Sequence, residues 1–222
     1  TDGEGRSLLY HAISNGNRDA AQLLFDKGAQ VDAPDGGEGT LLHFAARNGS
    51  VEICQMLLNK NPVLLNKKNS TGSTAMHAAA ERGHHTVAID LSRRALEAAC
   101  QRAPALPVLW LEDDITNSRL RRQFQIAVDR GCLHLLAENA AARYVANVAA
   151  LLAPGGLLLL KTHASEEGDR HGTTPHTRRT LELLFGEAFE IVEEHPSTFP
   201  GPSQSPAASL FVLRRRSSDP TA

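Results

Sequence analysis

The stretch Gly72-Ser73-Thr74-Ala75-Met76-His77-Ala78-Ala79-Ala80-Glu81-Arg82-Gly83-His84-His85-Thr86-Val87-Ala88-Ile89-Asp90-Leu91-Ser92 changes its periodicity halfway along. Its first half is rich in helix-forming alanine and closes on Gly83, the residue type that takes positive φ just past a helix end. Its second half, Thr86-Val87-Ala88-Ile89-Asp90, is a strand-length run, and Ser92 stands where it caps a further helix. Everything upstream reads as short helices. Everything downstream reads as strands alternating with helices.

Upstream, the chain matches itself with steps of 34 and 33 residues from Gly5 to Gly39 to Gly72, and of 33 and 34 from Gly16 to Gly49 to Gly83. The related hexads are Ser7-Leu8-Leu9-Tyr10-His11-Ala12, Thr40-Leu41-Leu42-His43-Phe44-Ala45 and Ser73-Thr74-Ala75-Met76-His77-Ala78. Gly16, Gly49 and Gly83 each end a short helix. Second helices follow the first two, where Ala20, Ala21, Leu23 and Leu24, and then Val51, Ile53, Cys54, Met56, Leu57 and Leu58, fall on one face. Gly28-Ala29-x-Val31-Asp32 turns into the next unit, with Pro34, Gly36 and Gly37 in the loop. The pattern resembles ankyrin repeats, about three over residues 1–85. The resemblance implies an α-helical solenoid with an unknown protein partner on its concave face. It also makes His11, His43 and His77 structural ties rather than metal ligands.

Downstream, strands are expected at 86–90, 107–111, 124–129, 156–162, 189–193 and 210–213, and helices at 92–102, 137–153 and 177–185. The Pro/Ser-rich stretch 196–206 reads as a hairpin connection. Alternation of this kind predicts a parallel α/β sheet, and Gly156-Leu157-Leu158-Leu159-Leu160-Lys161-Thr162 is apolar enough to be covered on both faces.

The succession resembles the second to seventh strands of a class I S-adenosylmethionine (SAM)-dependent methyltransferase of the small-molecule type. It implies a Rossmann-like α/β domain over 86–216 that lacks its usual first strand, with 217–222 as a disordered tail. It implies SAM as cofactor. Asp90 would meet the ribose hydroxyls, Asp113 or Asp114 the adenine amino group, and Ile115 the adenine ring. Val128-Asp129-Arg130-Gly131-Cys132-Leu133-His134 resembles the family's turn after the fourth strand, which places Asp129 among the cofactor-binding residues and His134 and Tyr144 toward a small-molecule methyl acceptor. These acids lie at the carboxyl ends of strands, where open α/β sheets bind ligands. Each has a plainer reading too: Asp90 as part of a helix start, Asp113 and Asp114 as loop acids, His134 as a packed or surface histidine. Cys132 in its turn reads as structural, and His163, His171, His176 and His195 have no metal-ligand spacing.

What the resemblance lacks is as informative. The positions where the family carries its first strand and Gly-rich SAM loop read Pro62-Val63-Leu64-Leu65-Asn66-Lys67-Lys68-Asn69-Ser70-Thr71-Gly72-Ser73, with one glycine of the loop left. Val63-Leu64-Leu65 is either that strand or part of the third repeat. Two families competing for one segment is read as a chimera, recombinant or engineered, or a rearranged natural gene. The inherited chemistry, methyl transfer to a small molecule, is expected to be weak or absent. The alternative is a non-catalytic interaction scaffold.

Composition bounds these readings. The 222 residues, 41% of them hydrophobic, are enough for one large core or two small ones. A net charge of -2 gives no basic field for nucleic acid. No run is long enough for a membrane span. The chain opens on Thr1 without a secretory or lipidation pattern, which reads as a piece of a cytoplasmic-type protein. Cys54, Cys100 and Cys132 are expected to be reduced thiols, mostly buried.

Overall fold

The fold is taken from a computed structural model that describes residues 2–3, 5–32, 39–102, 104–163, 176–199 and 207–217. Pro34, Gly36 and Gly37, His171, most of the expected hairpin connection and the tail from 218 onward lie outside the described residues. The chain forms two compact units, Thr1–Glu112 and Asp113–Ala222.

The first unit begins with five helices: α1 (Leu8–Ser14), α2 (Arg18–Asp26), α3 (Leu41–Arg47), α4 (Val51–Lys60) and α5 (Ala75–Glu81). Caps define their starts. Ser7 accepts the Tyr10 N–H and Asn17 the Ala20 N–H, while Thr40 with His43 and Thr74 with His77 form capping boxes. Gly16, Gly49 and Gly83 end α1, α3 and α5 at φ of 66°, 68° and 80°, conformations that glycine adopts without a Cβ clash. Helix α3 packs on both α1 and α5, and α2 packs on α4. Leu9, Ile13, Leu41, Ile53 and Leu57 are buried in the resulting core.

Two of the recurring histidines do the structural work expected of them. His43 Nδ1 accepts the Thr40 N–H at 3.0 Å, which leaves Nε2 to donate to the Ser73 carbonyl at 2.9 Å, thirty residues away. His77 Nδ1 accepts the Thr74 N–H at 3.3 Å. His11 instead meets the Asp2 carboxylate at 2.9 Å.

Residues Pro62–Asn66 form a 3-10 turn rather than a strand. Asn61 accepts the Val63 N–H at its start, and Leu64 and Leu65 are buried. The helical repeats have taken this segment.

After α5 comes β1 (Thr86–Asp90), then α6 (Arg93–Arg102) and β2 (Val108–Glu112). Strands β1 and β2 pair in parallel, from Thr86 with Val108 to Asp90 with Glu112. Ser92 Oγ accepts the Ala95 N–H to start α6, and Arg93 meets Glu112 at 2.8 Å. The third repeat therefore has no second helix, because a strand begins where that helix would follow. Strands β1 and β2 pair only with each other among the described strands, and both lie in the unit that ends at Glu112.

The second unit contains β3 (Phe124–Asp129), α7 (Glu138–Leu151), β4 (Leu152–His163), α8 (Arg178–Phe185), β5 (Phe189–Thr198) and β6 (Ala207–Arg215). The sheet order is β3-β4-β6-β5, with β3 parallel to β4 and the other pairs antiparallel. Its core joins Tyr144 and Val148 of α7 and Leu181 and Phe185 of α8 to Leu158, Leu160 and Phe211 of the sheet. Strand β4 is buried from Gly156 through Thr162, as its apolar run requires.

Strands β5 and β6 extend beyond the expected 189–193 and 210–213 because each completes the other's ladder. Pro196 is accommodated because β5 is an edge strand. The cysteines depart from expectation: Cys54 is buried, with burial pushing its thiol up to about 12, but Cys100 and Cys132 are exposed. Both lie on segments whose apolar faces are filled by other residues.

Replacing His43 with Ala is expected to lower stability by about 1–3 kcal/mol, because the Ser73 carbonyl and Thr40 N–H lose a buried partner. His11→Ala, at a half-exposed pair, is expected to change the thermal midpoint far less. Equal shifts for the two variants in parallel thermal melts would contradict the tie.

Candidate functional site

Asp90 ends β1 in the first unit. Its side chain is exposed, and Oδ1 accepts the Ser92 N–H at 2.7 Å, a local turn that orients the carboxylate and leaves Oδ2 without a bond among the described residues. Asp90 thus serves the helix start without being used up by it.

The acids after β2 belong to the second unit and are not equivalent. Asp113 has a side chain only 7% exposed; it accepts the Ser118 hydroxyl at 2.6 Å and the Arg119 N–H at 3.3 Å. Asp114 uses Oδ1 alone, accepting the Thr116 N–H and hydroxyl, both at 2.8 Å, at the head of the short turn Ile115–Asn117. Its second oxygen has no bond within the chain among the described residues, so Asp114 rather than Asp113 retains capacity for a ligand. Ile115 is half-buried and packs against the core of this unit. Asn147 of α7 donates to the Thr116 carbonyl at 3.0 Å and holds the turn in place.

Asp129 at the end of β3 is buried and organises the loop that follows it. Oδ1 accepts the Gly131 N–H at 2.7 Å and the Cys132 N–H at 2.6 Å; Oδ2 accepts the Leu133 N–H at 3.1 Å and the Tyr144 hydroxyl at 2.7 Å. Gly131 sits at φ 127°, and a Cβ there would meet the His134 ring at 2.8 Å. Tyr144 is buried in the core, and burial, reinforced by the Asp129 charge, raises its pKa well above the ordinary phenol range. The carboxylate is an anchor for the turn, and Tyr144 is its tether to α7.

Beside this turn lies a cluster that the sequence spacing did not bring together. The rings of His134 and His163 are 4.6 Å apart, and each lies about as close to Phe199, at 5.2 and 4.7 Å. Lys161 donates to the Thr198 carbonyl, and its ammonium lies 5.0 Å from the Phe199 ring centre. The His176 N–H donates to the His163 carbonyl at 3.3 Å.

Burial pushes the His134 pKa down, with His163 beside it adding to the fall and Asp129 opposing it. Burial likewise lowers His176 and Lys161. Only His134 was marked by its place in a motif. The others come from distant parts of the chain, and the available signal was the position of Lys161 and His163 at the carboxyl end of an apolar strand.

The residues fit SAM in part. Asp90 and Asp114 each offer a carboxylate oxygen at a strand end, suited to hydroxyl and amino donors. The residues that would receive the amino-acid tail are absent, since 62–66 form a 3-10 turn and Asn69 closes its own turn by accepting the Thr71 and Ser73 N–H groups. Among the described residues no group of three or more His, Cys, Asp or Glu side chains is arranged to hold a metal ion. No helix among them is long and apolar enough to cross a membrane.

Tyr144→Phe removes one hydrogen bond to a charged acceptor and is expected to destabilise the chain by about 1.5–3 kcal/mol. Asp129→Ala is expected to cost more, because three N–H groups lose their acceptor at once. Urea unfolding in which Tyr144→Phe proves the more damaging of the two would contradict the anchor role.

Comparison with known proteins agrees with both halves of this description. A family model of ankyrin repeats, three copies, matches residues 9–98, and a methyltransferase-domain model matches residues 69–156. No curated protein matches the chain. Among solved structures it is similar to the N-methyltransferase NodS from Bradyrhizobium japonicum WM9 in complex with S-adenosyl-l-homocysteine (SAH), at 20% identity and TM-score 0.56 over 88% of this chain and 98% of that one. It is also similar to a SAM-dependent methyltransferase from Methanosarcina mazei, at 15% identity and TM-score 0.54 over 66% and 88%. A structure concerned with conversion of a disulfide bond into a thioacetal group during echinomycin biosynthesis matches at 19% identity and TM-score 0.55 over 67% and 73%. At these identities the likeness is one of fold. An ankyrin-repeat model and a methyltransferase-domain model thus each match part of the chain, and the two matches share residues 69–98.

Proposed function

We propose that the chain is an ankyrin-repeat protein whose Rossmann-like α/β part keeps the adenosine-holding side of a SAM site and has lost the side that holds the amino-acid tail. The observation that carries this reading is the Asp90 carboxylate, exposed at the end of a parallel strand with one oxygen unbonded among the described residues. Asp114 offers a second acceptor, and Ile115 supplies apolar surface next to it.

In this reading SAM supplies the methyl group when bound. The resemblance implies that Asp90 would hold a ribose and that Asp114 would meet an adenine amino group. Asp129 and Tyr144 fix the turn that carries His134 toward a small-molecule acceptor. Rate would come from holding the partners in line and excluding water, effects that need the cofactor fixed at both ends. Methyl transfer is accordingly weak or absent.

The match to ankyrin repeats favours a second reading, in which the repeats form a solenoid that binds a protein on its concave face and catalysis plays no part. A junction inside residues 69–98 is what a chimera, natural or engineered, would leave. Three cysteines expected as reduced thiols fit a reducing cytoplasm.

Titration calorimetry with SAM and with SAH tests the leading reading. Saturable binding of both is expected, weakened about 10- to 100-fold by Asp90→Ala, as the loss of about 1.5–3 kcal/mol of charged hydrogen bonding implies. Because Asp90 is exposed, the thermal midpoint should stay nearly unchanged. Absence of binding by the wild-type chain, or equal binding by the variant, would refute it and shift attention to partner capture by the repeats.

A further inference from the structure

We propose that His134, His163 and His176, with the Lys161 ammonium beside them, form a binding site for a small oxyanion, the carboxylate or phosphate group of a small molecule. The inference is independent of whether SAM binds.

Unsatisfied buried atoms are the first support. His134 and His176 are 6% and 8% exposed, yet His134 Nδ1 and His176 Nε2 have no hydrogen-bond partner among the described residues. Buried polar side-chain atoms are nearly always paired. Two orphaned imidazole nitrogens in one cluster call for a ligand that accepts from both.

The balance of charge says what kind. Around the cluster stand Lys161 and His163 of β4, His134 and Cys132 of the turn, His176 before α8, Tyr144 of α7, and Arg130, whose charge acts on Lys161. Among the described residues the one carboxylate facing them is Asp129, and its oxygens already receive three N–H groups and the Tyr144 hydroxyl. Cationic capacity among the described residues therefore exceeds anionic partners. No group of three or more His, Cys, Asp or Glu side chains among the described residues converges here as metal ligands.

Burial holds His134, His176 and Lys161 toward their neutral forms. A bound anion favours the charged forms, so binding should take up protons. The sign follows: affinity rises as pH falls, about tenfold per pH unit for each proton taken up.

The test is a proton NMR titration of the histidine Cε1 resonances in the full chain, with inorganic phosphate in one arm and acetate in the other, at constant ionic strength. His134→Gln and His176→Gln assign the resonances. Should either fail to fold, the cross-peak between the His134 and His163 rings assigns them instead. With a saturating probe, the His134 and His176 midpoints are expected to rise by about one pH unit, while exposed His85 stays still. A response to acetate alone identifies a carboxylate ligand, and a response to phosphate alone a phosphate. If neither probe moves these resonances, or if His85 moves as much as they do, the site does not exist.

Discussion

Leu64 and Leu65 can be buried in only one place, and the helical repeats bury them. That single competition sets the rest of the structure. With 62–66 wound into a 3-10 turn, no strand is left to stand beside β1, and among the described residues β1 and β3 each have one hydrogen-bonded neighbour. Among the described residues each sheet thus ends, at a strand paired in parallel with its neighbour, on an edge of half-buried apolar residues, such as Val87 and Ile89 in β1 and Ile126 and Val128 in β3. Edges of that kind are uncommon in parallel sheets, which are normally paired and covered on both sides.

The same competition separates the residues on the two sides of the junction. Residues downstream of the junction keep their strand-end positions, so Asp90 and Asp114 retain oxygens for donors. Residues upstream obey the repeat, and their backbone N–H groups satisfy local turns such as that of Asn69. A loop that must stay open for a ligand cannot also close on its own side chain.

Much of this was legible in the sequence where local rules suffice. The strand over Phe124–Asp129, the helix begun by Thr177 and the three helix-ending glycines were all set by short-range chemistry: periodicity, a cap, a required φ. The sequence did not reveal what depends on pairing. Strand β5 runs on to Thr198 because β6 lies beside it, and Cys132 is exposed because Leu133 and His134 take the buried positions of its turn. The choice between strand and turn at Val63 to Leu65 was undecidable from spacing, since both families place apolar residues there. Of the candidate site, the acids at strand ends were readable, but not that Asp113 is consumed by Ser118 or that Asp129 anchors Tyr144. The meeting of His134, His163 and His176 is a tertiary event with no spacing to announce it.

The central claim is that the repeat has taken the residues a first strand would need, leaving β1 and β3 with open edges. Amide hydrogen exchange of the whole chain, read residue by residue, tests it directly. Alternate amides of β1 and β3 should exchange rapidly, those facing their one neighbour more slowly, and β4 and β6 slowest of all, as strands paired on both sides. Slow exchange at every amide of both β1 and β3 would mean that their edges are paired, and would contradict the account.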